Sequence, residues 1–112
     1  MLDGLIREVP GARAVLLLDA TGEVAMESGA RDESHRLVGA YQGIAFGHAQ
    51  RASIRHGMGP VRGLTCRYEH GHVLLQPLKD GYYLVLLLGP EASPDLGRRR
   101  LGPAQTKMGR EL

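Results

Sequence analysis

Two stretches of this chain are apolar on every face they present. Leu16-Leu17-Leu18 lies within a strand-like run from Ala12 to Asp19, and Leu84-Val85-Leu86-Leu87-Leu88 closes another run that begins at Tyr82. Successive side chains of a β-strand point to opposite faces, so a strand without alternation must be covered on both sides. Both runs are therefore predicted as central strands, and the chain must supply helices for both faces of the sheet. Neither run approaches the ~20 apolar residues that cross a bilayer, so no membrane insertion is expected.

The remaining elements arrange themselves around these two. Leu2, Leu5, Ile6 and Val9 recur at helical spacing until Pro10-Gly11 stops them, which predicts one or two helical turns. Ala20-Thr21-Gly22 turns the chain into a second strand, Glu23 to Ser28, in which Val24 and Met26 alternate with Ala25 and Glu27. Asp32 is placed to cap a long helix running to about His56, with Glu33 in its first turn, and Gly57-Met58-Gly59-Pro60 ends it. Three strands are predicted next: Val61 to His70, His72 to Leu78 and Tyr82 to Leu88. Gly71 and the strong hairpin signal Asp80-Gly81 separate them. Pro77 demands a bulge or an early end in the fourth strand. Ser93-Pro94 opens a last helix with Leu101, Ala104, Met108 and Leu112 on its apolar side, and Pro103 is expected to break or kink it near Arg99 to Gly102.

This order specifies an α/β chain of the α+β type. Every strand-to-strand link is short, so the five-stranded sheet is antiparallel. The long crossover helix is expected on one face and the N- and C-terminal helices on the other. At 112 residues the chain is one domain, spanning 1–112.

Composition narrows the function. The net charge is only +2, aromatic residues are 4%, and the twelve arginines are dispersed, which argues against a nucleic-acid partner. Weak binding through Arg51, Arg55, Arg62 and Arg67 would be steeply salt-dependent and ranks last. Cys66 is the single cysteine, so no intrachain disulfide is possible, which suits a reducing, cytoplasmic compartment. The opening Met1-Leu2-Asp3-Gly4-Leu5 lacks the apolar run of a signal peptide. No phosphate-binding loop, dinucleotide fingerprint or nucleophile elbow is present, so neither an enzyme nor a cofactor is expected. Cys66, His70 and His72 offer three zinc ligands but no fourth. They are taken as hairpin-tip polar groups, with no metal expected. His48 is expected on the core side of the long helix, Cys66 as a small buried hydrophobe, and Arg98-Arg99-Arg100 as a solvated helix face.

The long helix has two unusual faces. At 100° per residue, Leu37, Tyr41, Ile44, Ala45, His48 and Ala52 fall within roughly a 100° arc, the face expected against the sheet. On the other side Gly39, Gly43 and Gly47 recur every four residues, with Phe46 and Ile54 on or beside them. Each interior glycine costs about 1 kcal/mol relative to alanine. Small residues at this spacing let another backbone come close. This face is therefore expected to pack on a second chain. The third strand offers a second interface, because it follows the crossover and can end at a sheet edge, with Leu64, Cys66 and Tyr68 on one side. Pairing with a second copy would join two sheets.

The chain resembles the roadblock / dynein-light-chain family, which includes bacterial regulators of small Ras-like GTPases. The likeness rests on the N-terminal helix ending in Val9-Pro10-Gly11, the strand Ala14 to Asp19 with its Thr21-Gly22 turn, the long second helix, and the hairpin Leu74-Gln76-Pro77-Leu78 … Asp80-Gly81-Tyr82-Tyr83-Leu84-Val85. It covers nearly the whole chain, and the order of the motifs carries it. The resemblance implies a homodimer joined through the third strand and second helix, whose paired second helices form a platform for a small GTPase. It also implies no nucleotide pocket or catalytic residue. Here the first helix is short, and Gly102-Pro103 interrupts the last. The glycine stripe is not assigned by the resemblance.

The expectation is thus a non-catalytic, homodimeric, cytoplasmic scaffold or regulator for a small GTPase. Gly39, Gly43, Phe46, Gly47, Gln50 and Ile54 are its helical interface residues, and Arg62, Leu64, Cys66 and Tyr68 those of its edge strand. The alternative is a small-molecule sensor with a pocket between sheet and long helix, lined by Tyr41, His48 and Tyr83.

Overall fold

The structure is a computed structural model that describes the backbone of residues 2–29 and 33–111 and the side chains of 2–29 and 34–103. The elements in chain order are α1 (Leu2–Glu8), β1 (Ala12–Leu18), β2 (Val24–Gly29), α2 (Glu33–Arg55), β3 (Leu64–Tyr68), β4 (Gly71–Pro77), β5 (Tyr83–Leu88) and α3 (Pro94–Glu111). The five strands form one antiparallel sheet in the order β2-β1-β5-β4-β3. The two wholly apolar strands, β1 and β5, are interior neighbours. The edges fall to β2 and β3.

Alternation along the strands divides the core into two layers. On one face Val15, Leu17, Leu74, Leu84, Leu86 and Leu88 meet Leu2, Leu5 and Val9 from the N-terminal segment and Ala92 and Leu101 from the C-terminal one. On the other face Leu16, Leu18, Val73, Leu75, Val85 and Leu87 lie under Val38 and Phe46 of α2. The crossover helix thus covers one face and the terminal helices cover the other, as the strand chemistry requires.

Local chemistry sets the turns. The Asp19 carboxylate accepts from the backbone N–H of Thr21 at 2.9 Å, the Thr21 hydroxyl at 2.6 Å and the Glu23 N–H at 3.0 Å, closing the β1–β2 turn. Asp80 and Gly81 both take positive φ, +61° and +80°, the left-handed pair that a tight hairpin needs. Ser93 caps α3 by accepting from the Leu96 N–H at 3.2 Å.

Three expectations change at their boundaries. Strand β3 is shorter than Val61 to His70: the Val61 N–H donates to the Gln50 side chain at 2.6 Å, and the Arg62 carbonyl accepts from the Gln76 side chain at 3.0 Å. Their ladder groups are therefore spent on side chains. Pro77 is the last residue of β4, opposite Tyr83, where its missing N–H interrupts nothing further along the strand. The helical assignment of α3 runs through Pro103 without the expected break. The proposed cap Asp32, and the side chains of Ala104, Met108 and Leu112, lie outside the described residues.

Candidate functional site

Helix α2 sits with its glycines toward its own sheet. A Cβ built on Gly39 would lie 2.9 Å from Leu16 Cδ1 and 3.5 Å from both Leu18 δ-carbons. At Gly43 it would collide with the Tyr83 hydroxyl. Between them Gln42 is 3% exposed, and its Nε2 donates to Cys66 Sγ at 3.0 Å. Val38 and Phe46 pack on the same layer. The close approach deduced from the glycine stripe therefore exists, but the surface approached is the chain's own sheet. The leucines and Tyr83 already fill the layer, so the helix can lie close only where its side chains are small.

This orientation reverses the expected one. Leu37, Tyr41 and Ile44, expected against the sheet, are 52%, 68% and 57% exposed, and Ala45, His48 and Ala52 are exposed beside them. His48 is thus a surface residue, its Nδ1 3.1 Å from Arg51 Nη2. The helix carries an apolar stripe on the side away from its own core. Exposed large apolar side chains gathered on one face mark a surface built for contact.

The expected interface residues divide accordingly. Gly39, Gly43 and Phe46 belong to the packing between α2 and the sheet. Gly47 has only Arg51 Nη1 near its missing Cβ, at 3.6 Å. Gln50 holds the loop after α2 through Val61, while Ile54 is exposed. Arg62 and Tyr68 are exposed, and Leu64 and Cys66 are half-buried. Leu37, Tyr41 and Ile44 are the outward residues that the sequence reading assigned to the core. Their signal was the apolar arc itself, taken for the wrong side.

Strand β3 completes the surface. It pairs only with β4, so one of its margins has no neighbouring strand among the described residues. Tyr68 at its end is exposed and lines one cleft together with Tyr41 of α2, which makes the apolar stripe and the sheet margin continuous. Partial burial, and then the adjacent Cys66 thiol, hold the Tyr68 phenol above the usual tyrosine range. Tyr83 is also held above that range, first by burial and then by the Asp19 charge.

The other candidates are dispersed. Tyr41, His48 and Tyr83, expected to line one ligand pocket, are separated: Tyr83 is buried under Gly43, His48 points outward, and Tyr41 lines the cleft beside β3. His70 is exposed at the β3–β4 turn and His72 is half-buried in β4. Arg98 is ion-paired with Asp95 at 2.6 Å and, like Arg99 and Arg100, is exposed. No helix among the described residues is long and apolar enough to cross a membrane.

Solved structures share this architecture. A Roadblock/LC7 domain from Streptomyces avermitilis is 25% identical, with a TM-score of 0.78 over 89% of this chain and 85% of that one. An MglB solved with a tetrameric arrangement is 18% identical, with a TM-score of 0.86 over 97% of this chain and 82% of that one. The gliding protein MglB from Thermus thermophilus is also 18% identical, with a TM-score of 0.85 over 97% of this chain and 83% of that one. No curated protein sequence matches significantly. The Roadblock/LC7 domain model matches residues 1–88, from α1 to the end of β5. With the strand order and the two-sided helical cover already described, that match makes the chain a member of the Roadblock/LC7 domain family.

Proposed function

We propose that this chain is a homodimeric interaction module that regulates or scaffolds a small Ras-like GTPase in the cytoplasm. The Roadblock/LC7 family is one of regulatory, non-enzymatic domains, and membership supports an interaction role. The observation that carries the dimer is the outward stripe Leu37, Tyr41 and Ile44 beside the unpaired margin of β3. Two copies related by a two-fold axis would pair β3 with β3 and bring the α2 stripes together, covering apolar surface and sheet hydrogen-bonding groups at once. That one MglB neighbour is solved as a tetramer supports self-assembly of this fold.

The GTPase reading rests on the likeness to MglB and on the platform that two adjacent α2 helices would form. The chain would act by positioning the GTPase's own switch residues, with no catalytic group inserted. Light scattering across a concentration series tests the dimer: a mass of two chains is expected, and a monomer throughout would remove it. Nucleotide hydrolysis by a GTPase captured from the host, measured with and without the chain, tests the regulation. An unchanged rate and no complex would remove that half of the reading.

A further inference from the structure

We propose that the strip of sheet between β3 and α3 docks an acidic linear segment of a partner protein, with one aliphatic side chain of that segment seated in the cavity beside Arg62. The strip lies on the side of the sheet opposite α2. Thr65 and Arg67 stand opposite Leu74 and His72 of β4. Leu74 belongs to the layer beneath the terminal helices, so Thr65 and Arg67 point to that side. Helix α3 packs on β4 and β5 there, and Thr65 and Arg67 remain exposed beside it. The strip is complete in one chain. The proposed dimer uses the β3 margin and the α2 side, and would set two such strips next to each other.

The strip is cationic and has a small apolar seat. Arg62 and Arg67 have no carboxylate partner among the described residues, and Arg98 of α3 is oriented by Asp95 at 2.6 Å. The backbone that carries Arg62 is fixed on both sides: the Val61 N–H donates to Gln50 Oε1 at 2.6 Å, and the Arg62 carbonyl accepts from Gln76 Nε2 at 3.0 Å. Guanidinium forks match carboxylates. A cavity of about 280 Å³ opens between Arg62 and Arg98, with Leu74 and Leu101 as its floor. It is smaller than the roughly 300–1,000 Å³ of small-molecule sites and suits a single aliphatic side chain. Among the described residues no exposed large apolar side chain lies on this strip, as contact with a bilayer would require. Tyr68 points with Leu64 toward the α2 layer, so the strip offers no ring on which a base could stack. An acidic segment carrying one aliphatic residue answers both the charge and the seat.

The probe is the fluorescein-labelled peptide Glu-Glu-Leu-Glu-Glu, followed by fluorescence anisotropy at low salt. Its controls are Gln-Gln-Leu-Gln-Gln, which lacks the charge, and Glu-Glu-Gly-Glu-Glu, which lacks the aliphatic side chain. Expected is saturable binding of one peptide per chain, with both controls weaker. Arg62→Gln and Arg67→Gln together should lower the affinity roughly tenfold, the scale of two exposed ion pairs. Variant and wild type are compared at a concentration where light scattering gives them the same mass, so that loss of the proposed dimer is not read as loss of this site. The two control peptides need no variant and decide the matter if the double variant does not fold. The proposal is overturned by the absence of saturable binding, by equal affinity for either control, or by an unchanged affinity in the folded double variant. Tighter binding of a labelled oligothymidylate or of phosphatidylserine vesicles than of the peptide also overturns it.

Discussion

The Tyr83 hydroxyl occupies the space beside Gly43 into which any larger side chain at that helical position would project. Tyr83 is buried in the layer beneath α2 and cannot easily withdraw. Alanine at Gly43 would gain about 1 kcal/mol of helix propensity but incur about 1–3 kcal/mol of overpacking, so Gly43→Ala is expected to destabilise by up to about 2 kcal/mol. Gly47 is the control. Its missing Cβ meets only Arg51 Nη1 at 3.6 Å, so Gly47→Ala should stabilise by up to about 1 kcal/mol. Urea unfolding midpoints of the two variants should move in opposite directions. A shared direction would mean the helix does not rest on Tyr83.

On the opposite side of the same helix, substitution should separate association from folding. Tyr41 and Ile44 are exposed, so Tyr41→Glu and Ile44→Glu should change the stability of the single chain by no more than about 0.5 kcal/mol. In the proposed dimer each buries a charge without a partner, and self-association should fall by roughly a hundredfold or more. Sedimentation velocity across a concentration series reads this directly. Dimers that persist in both variants would place the contact elsewhere.

Asp19 and Tyr83 should titrate in opposite directions from their ordinary values. The Thr21 hydroxyl first, and then the Glu23 N–H, hold Asp19 below 3.8. Its contribution to stability is therefore present above the unfolded value and lost as pH falls through the lower folded one. Burial, and then the Asp19 charge, hold Tyr83 above 10.0. The unfolded phenol ionises first, so that contribution is present below about pH 10 and lost as pH rises through the folded value. Between about pH 9 and about pH 11 the wild-type chain should lose stability faster than Tyr83→Phe, which has no proton to release. Parallel unfolding curves for the two chains would contradict this placement of Tyr83.

The strands were legible because their signals are local. Unalternating leucines require cover on both faces, Asp80-Gly81 requires a tight turn, and Ser93-Pro94 requires a helix start. The rotation of α2 was not legible, because both sides of the helix carry a plausible claim on the core. Leu37, Tyr41 and Ile44 form the more apolar arc, and pattern alone assigns the apolar arc to the sheet. What decides is the volume already present beneath: at positions 39 and 43 Leu16, Leu18 and Tyr83 leave space for glycine and none for a larger side chain. That volume depends on β1 and β5, both distant from the helix in sequence, meeting in register, which no local pattern records. The same non-locality hid the late start of β3, since Gln50 and Gln76 claim the preceding backbone groups from a distance.

Gln42 and Cys66 give the last test, because they join helix to edge strand. Gln42 is the one buried polar residue among the described residues, and its Nε2 donates to Cys66 Sγ at 3.0 Å. Sulfur is a weak acceptor, so the bond itself adds little. Removing it leaves a buried amide unsatisfied, at a cost of about 1–3 kcal/mol. Cys66→Ala should therefore destabilise by about that amount, while Cys66→Ser, which keeps an acceptor in place, should stay within about 1 kcal/mol of the wild-type chain. In a Gln42→Leu background the amide is gone, and the difference between alanine and serine at position 66 should shrink or reverse. A double-mutant cycle by urea unfolding measures that coupling. A coupling near zero would show that the amide finds its partner elsewhere and that this bond does not fasten β3 to the helix.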